Sequence, residues 1–200
     1  MNKAVAYLAQ RDARLAGILN GPPFKAPGES ELFLDLIESI MSQQLSGSAA
    51  STIHGRFCRL FPAQRPTPRR LLKLTADQLR AAGVSRQKAG YLHNVADFFL
   101  KHDLSHAALQ KLDDESIVAL LTQIKGVGRW TVEMLLMFPL NRPDVLPVDD
   151  LGIQLAIKQL YGLRTSGPRL RKRMQALAES WRPHRSLACK YLWRWRSANR

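Results

Sequence analysis

The chain is short of acid. Sixteen Asp and Glu stand against thirty Lys and Arg in 200 residues, leaving a formal charge of +14 and a pI near 10.5. That excess is larger than solubility requires and points to a polyanionic partner. Cysteine is scarcer: Cys58 and Cys189 share no C-x-x-C spacing and cannot supply the four ligands of a structural zinc or iron–sulfur site. A reducing interior suits them, so the cytoplasm is the expected setting. The opening MNKAVAYLAQRDARL is broken at Gln10, Arg11 and Asp12 before its apolar run reaches signal-peptide length. Nor does any later stretch approach the roughly 18 uninterrupted apolar residues of a membrane span. Neither secretion nor a membrane partner is expected. Strand-like alternation, internal repeats and low-complexity tracts are also missing, which disfavours a half-buried sheet and a solenoid.

What is present is apolar residues, 46% of the chain, recurring at three- and four-residue spacing. This is ample for a buried core and predicts an all-α fold. One helix is expected over 3–19, closed by Asn20-Gly21-Pro22-Pro23, with a linker to about Gly28. Leu32, Phe33, Leu36, Ile37, Ile40 and Met41 form a wide stripe that gives way to a polar tip, Ser42-Gln43-Gln44, where the helix should end. Thr67-Pro68 and the capping box Thr75/Gln78 predict two short helices. Gly83 and Ser85 read as a stop and a cap, followed by a helix through Tyr91, Leu92, Val95 and Phe98.

Charge is unevenly spread. From Arg169 to Arg200, ten Lys and Arg face one acid, Glu179, and Trp181, Tyr191, Trp193 and Trp195 are interleaved with them. The combination suits phosphate neutralisation beside aromatic packing, although a solvated basic face over core tryptophans would look the same. Ile124-Lys125-Gly126-Val127-Gly128-Arg129-Trp130 joins two apolar segments through a short glycine-flanked turn. The second helix then begins near Gly128, where its unsatisfied amides and dipole can grip a phosphate without reading sequence. As a plain αα-turn the same residues would need no ligand. Asp149 and Asp150 precede Ile153, Ala156, Ile157 and Leu160, spaced as one helical face, and either acid could be the N-cap.

These segments, together with Ile40-Met41-Ser42-Gln43-Gln44, Leu146-Pro147-Val148-Asp149-Asp150-Leu151 and Trp181-Arg182-Pro183-His184-Arg185-Ser186, resemble the helix-hairpin-helix/Gly-Pro-Asp superfamily of DNA glycosylases. Within it they look like the alkylation-repair branch, DNA-3-methyladenine glycosylase II. The resemblance implies a two-lobed all-α fold, with one lobe over 29–145 and a second from 1–28 plus 146–200 carrying the catalytic Asp. The N-terminal β domain of some branch members has no room in this length. It implies a base-excision repair enzyme, expected as a monomer, that flips an alkylated purine out of double-stranded DNA and hydrolyses its N-glycosidic bond. No catalytic cofactor is implied. A structural Na⁺ or K⁺ is, held at the hairpin by carbonyls matching Thr122, Lys125 and Val127.

By the same resemblance, spacing after the hairpin favours Asp150 as the carboxylate that stabilises positive charge on the sugar, with Ile153 behind it. Pro147-Val148-Asp149 also matches the superfamily's Pro-x-Asp pattern, so a one-residue gap would move the role to Asp149; the other acid would cap the helix or contact DNA backbone through an intermediary. Bifunctional members carry a lysine where this chain has Trp130, which implies a monofunctional enzyme without Schiff-base chemistry. Trp130 matches an aromatic of the base pocket. His184 stands where a second stacking tryptophan is expected, and Met134 and Leu151 replace pocket tyrosines, making a more aliphatic cavity. Gln44, with Gln43 beside it, matches the wedge that fills the gap left by the flipped base. Lys125, Gly126, Val127, Gly128 and Arg129 match the backbone grip. A catalytically silent helix-hairpin-helix module, or a helical regulator, is the competing reading.

Overall fold

Local signals along the chain translate into helices almost one for one. The computed structural model describes residues 3–24, 31–45 and 47–199. Most of the linker expected up to Gly28 therefore lies outside the described residues. Thirteen α-helices and two short 3₁₀ turns, with no strand, make up the regular structure among the described residues. None of these helices is long and apolar enough to cross a membrane.

The chain divides into two compact units, one formed by Met1–Ala26 with Leu136–Arg200 and the other by Pro27–Leu135. The second boundary falls upstream of the division expected at 145/146. The continuous unit contains α3 (Leu32–Ser42), α4 (Gly47–Cys58), α5 (Pro68–Leu71), α6 (Ala76–Ala81), α7 (Arg86–Lys101), α8 (His106–Leu109), α9 (Asp114–Leu121) and most of α10 (Arg129–Met137). Its centre is the packing of α3 on α7: Phe33, Leu36, Ile37, Ile40 and Met41 are buried on one helix and Leu92, Val95 and Ala96 on the other. The predicted caps form. Thr75 and Gln78 make the reciprocal capping box, and Ser85 Oγ accepts from Lys88 N at 3.3 Å.

The discontinuous unit contains α1 (Lys3–Arg11), α2 (Ala13–Ala16), α11 (Leu151–Tyr161), α12 (Gly167–Ala178) and α13 (Arg185–Ala198). Here α11 packs on α13, each presenting small and aliphatic residues: Ile153, Ala156 and Ile157 against Ala188, Cys189 and Leu192. The single helix expected over 3–19 is two, because Asp12 is an N-cap with extended backbone (φ −147°, ψ 103°). Its Oδ1 accepts from Arg14 N and Leu15 N, and its Oδ2 accepts from Tyr161 Oη at 2.6 Å and from Trp181 Nε1 at 2.9 Å. Apolar periodicity runs unbroken across this break, which is why pattern reading missed it.

Candidate active site

In the discontinuous unit, Asp150 is the N-cap of α11. Its backbone is extended (φ −70°, ψ 119°), and its Oδ1 accepts from Ile153 N at 2.7 Å and from the Trp193 indole Nε1 at 2.9 Å. Both donors converge on one oxygen, so the carboxylate plane is held while the charge sits at the positive end of the helix dipole. The side chain is 8% exposed. Gly152 makes the arrangement possible: a Cβ there would stand 3.0 Å from both Asp150 Oδ1 and the Trp193 indole. Asp149 goes the other way. It is exposed and paired with Arg171, and the capping role expected of the second acid is filled by Asp150 itself.

The loop that delivers Asp150 is held by α13. Asp144 receives Arg185 Nε and Arg182 Nη1, each at 2.7 Å, and Ser186 Oγ donates to Arg142 O at 2.7 Å while accepting from Val145 N at 2.9 Å. The motif Trp181 to Ser186 thus acts largely as a clamp on residues 142–145. Its His184 packs edge-on to Tyr7, ring centroids 5.3 Å apart. The indole beside Asp150 belongs to Trp193, which the sequence marks only as part of the aromatic and basic C-terminal stretch. Phe138, 44% exposed, stacks on Trp193 at 5.9 Å, and Lys190 Nζ lies 5.2 Å from the Phe138 centroid. Burial lowers the Lys190 pKa below the ordinary lysine value. Leu151, the residue after Asp150, is 67% exposed.

The basic stretch divides by use. Trp181 is fully buried and bonded to Asp12, Arg194 lies over Phe24 at 3.8 Å and donates to Pro22 O, and Arg196 reaches Gln159. With Arg171, Arg182 and Arg185 paired to acids, half the predicted patch is engaged within its own unit. Arg169, Lys172 and Arg173 remain exposed on α12, and Arg200 lies outside the described residues.

In the continuous unit, the hairpin forms as expected between α9 and α10. Gly126 takes φ +105°, and a Cβ there would enter the Tyr91 ring at 2.3 Å, so both conformation and space demand glycine. Ile124 and Val127 anchor the turn in the core while Lys125 and Gly128 are exposed. Val127 N donates to Ile124 O at 2.9 Å, which withdraws that amide from the predicted anion grip. Arg129 is also occupied: it bridges Glu115 on α9 and Glu133 on its own helix. The Glu115 bond, and then the Glu133 charge, hold its pKa above the usual arginine value. Asn94 Nδ2 donates to Lys125 O at 3.2 Å, using one of that carbonyl's two lone pairs.

Trp130 and Met134, one turn apart on α10, share a face; Trp130 is 41% exposed and Met134 half-buried. At the polar tip, Gln43 (φ −50°, ψ 130°) and Gln44 (φ 60°) are the central residues of a type II turn closed by Leu45 N donating to Ser42 O at 3.1 Å. A glutamine in the left-handed region costs roughly 1–3 kcal/mol.

An all-α chain with a glycine-turned hairpin and a helix-capping, indole-bound aspartate defines a class. Residues 37–183 match the HhH-GPD superfamily of base excision DNA repair proteins, and the chain belongs to that family. Among individual relatives, it is 36% identical to DNA-3-methyladenine glycosylase 1 of Schizosaccharomyces pombe over 189 residues, 92% of this chain and 80% of that one. The crystal structure of a DNA-3-methyladenine glycosidase from Bacillus halodurans superposes with a TM-score of 0.85 at 34% identity, covering 96% of this chain and 88% of that one. The S. pombe 3-methyladenine DNA glycosylase in complex with abasic DNA superposes with a TM-score of 0.83 at 33% identity, covering 96% of each chain.

Proposed function

We propose that this protein is a monofunctional DNA glycosylase of base excision repair that releases alkylated bases, 3-methyladenine and related methylpurines, from double-stranded DNA. The observation that carries it is Asp150: a nearly buried carboxylate, oriented by a helix amide and an indole, in a chain whose relatives are DNA-3-methyladenine glycosylases. Cleaving an N-glycosidic bond develops positive charge on the deoxyribose, and a fixed carboxylate stabilises that charge more than it stabilises the neutral sugar. A cationic methylpurine leaves readily, so a strong general acid is dispensable. Asp149, exposed and paired with Arg171, is poorly suited to the same work.

As candidates for contact with the base, Trp130 offers an electron-rich face to a cationic purine, an attraction of about 0.5–2 kcal/mol, and Met134, Leu151 and His184 offer aliphatic and aromatic surface. Trp130 also stands where a Schiff-base lysine would be needed for strand cleavage, which supports hydrolysis that leaves the abasic strand intact. Gln44 and Gln43 would enter the stack vacated by the flipped nucleotide and hydrogen-bond the orphaned base. The backbone grip rests on Lys125 and the amides of Gly126 and Gly128. A monovalent cation suits the same turn. Carbonyls of Thr122, Lys125 and Val127 are hard oxygen ligands in one short segment, and Lys125 O keeps a lone pair beyond its bond to Asn94. Such an ion would stiffen the turn; the hydrolysis itself calls for no cofactor.

The direct test is mass spectrometry of bases freed from methylated duplex DNA by the wild type, Asp150→Asn and Asp149→Asn. The Asp150 change is expected to cut release about 10²- to 10³-fold with duplex affinity retained, and the Asp149 change to leave release near wild type. Undiminished release by Asp150→Asn would overturn the assignment, and no release by the wild type would overturn the function.

A further inference from the structure

We propose that Lys88 is a positioning residue: its ammonium holds the Gln43 carbonyl and thereby locks the Ser42–Leu45 turn in the type II form that presents Gln44. The consequence for excision rests on the reading of Gln43 and Gln44 given above; the turn geometry does not.

Helix α3 ends without a basic residue in its last turn, so its terminal carbonyls and the negative end of its dipole need partners from elsewhere. Two are local: Ser42 Oγ donates to Ser39 O at 3.0 Å, and Leu45 N donates to Ser42 O at 3.1 Å. Two further bonds come from Lys88, in the first turn of α7, whose Nζ donates to Met41 O and to Gln43 O, each at 2.7 Å. Lys88 is half-buried and lines a shallow pocket with Met41, Leu45, Ile53 and Val84. This burial lowers its pKa from the ordinary lysine value and strengthens the bonds it makes.

The two bonds are not equivalent. Type I and type II turns differ by a flip of the peptide between their central residues, and the oxygen of that peptide here is Gln43 O. In a type I turn this oxygen would face away from Nζ, and Gln44 would return to negative φ. Residue choice alone favours that outcome, because type II turns want Gly or Asn at the position Gln44 occupies. The Met41 bond is compatible with either turn. The Gln43 bond is compatible only with the one observed, so the lysine offsets the strain at Gln44 and sets the direction of its side chain. A cation contributed by α7 thus determines a backbone conformation at the tip of α3, across a sequence separation of 45 residues.

The test compares wild type with Lys88→Met, Lys88→Gln and Lys88→Arg. Nuclear Overhauser contacts read the turn directly: a strong Gln43 Hα to Gln44 amide contact marks type II, and a strong amide-to-amide contact marks type I. Wild type and Lys88→Arg, whose guanidinium can bridge both carbonyls, are expected to show the first pattern, and Lys88→Met and Lys88→Gln the second. In single-turnover excision from methylated duplex, the Met and Gln variants are expected to be ~10- to 100-fold slower with unchanged affinity for undamaged DNA, and the Arg variant to recover most of the rate. A type II pattern persisting in folded Lys88→Met or Lys88→Gln overturns the clamp. A flipped turn with an undiminished excision rate overturns its link to excision. A wild type that excises nothing overturns the glycosylase reading alone, since the turn pattern is read without substrate.

Discussion

Two adjacent aspartates of equal chemistry acquire opposite roles through their neighbours. Asp149 faces solvent and pairs with Arg171, an exposed contact of about 0–1 kcal/mol, whereas Asp150 is turned inward onto Ile153 N and the Trp193 indole. The indole bond is directed at a charged acceptor, a class contributing roughly 1.5–3 kcal/mol. Trp193→Phe removes the donor while keeping a ring to stack on Phe138. The expected result is single-turnover excision slowed roughly 10- to 100-fold with duplex affinity unchanged. An unchanged rate would mean that the Ile153 amide alone orients the carboxylate.

At the level of elements, the first helix shows how one side chain can divide what periodicity joins. Asp12 caps α2 and accepts from Tyr161 and from fully buried Trp181, tying the N-terminal helices to α11 and to the turn after α12. Burial alone would raise its pKa, but the bonds from Leu15 N, Tyr161, Trp181 and Arg14 N outweigh burial and hold the carboxyl below its ordinary value. A carboxylate whose folded pKa is depressed contributes stability that is present above its unfolded pKa and lost as pH falls through the folded one. Urea titrations from about pH 6 to pH 3 should therefore show an acid-labile component in the wild type that is missing in Asp12→Asn. Asp12→Ala, which also removes the cap and leaves two donors unpaired, should lower stability by about 2–4 kcal/mol. The caps at Thr75/Gln78 and Ser85 were legible in the sequence because donor and acceptor lie three residues apart. Asp12 caps just as locally, through Arg14 N and Leu15 N, but unbroken apolar periodicity across it hid the break, and its further partners Tyr161 and Trp181 lie in no local window.

For the whole molecule, the count of thirty Lys and Arg overstates what is available to a polyanion. Arg129, Arg171, Arg182 and Arg185 are paired with acids inside their own units, while Lys125, Arg169, Lys172 and Arg173 are exposed. Affinity for undamaged duplex should fall linearly with salt on a log–log scale, with a slope of about −0.9 per neutralised phosphate and well short of what all thirty Lys and Arg would produce. Filter-binding or anisotropy titrations across salt concentrations would measure it, and a flat response would remove the electrostatic argument for DNA.

Helical period, capping residues, the Gly126 hairpin, the acid pair and the surplus of base are properties of residues within a few positions of one another, and the sequence by itself determined them. It also narrowed the family through motifs that keep their spacing. Which acid is buried, that Trp193 stands beside it, that half the basic stretch is engaged within its own unit, and that Lys88 holds the α3 tip were decided only in the folded chain. The unit boundary inside α10 is of the same kind, since an uninterrupted helix carries no compositional mark where its packing partners change. The reason is physical: these outcomes depend on hydrogen bonds and burial between residues dozens of positions apart, and partner choice at that range is made by packing geometry, which no local pattern of residue types records.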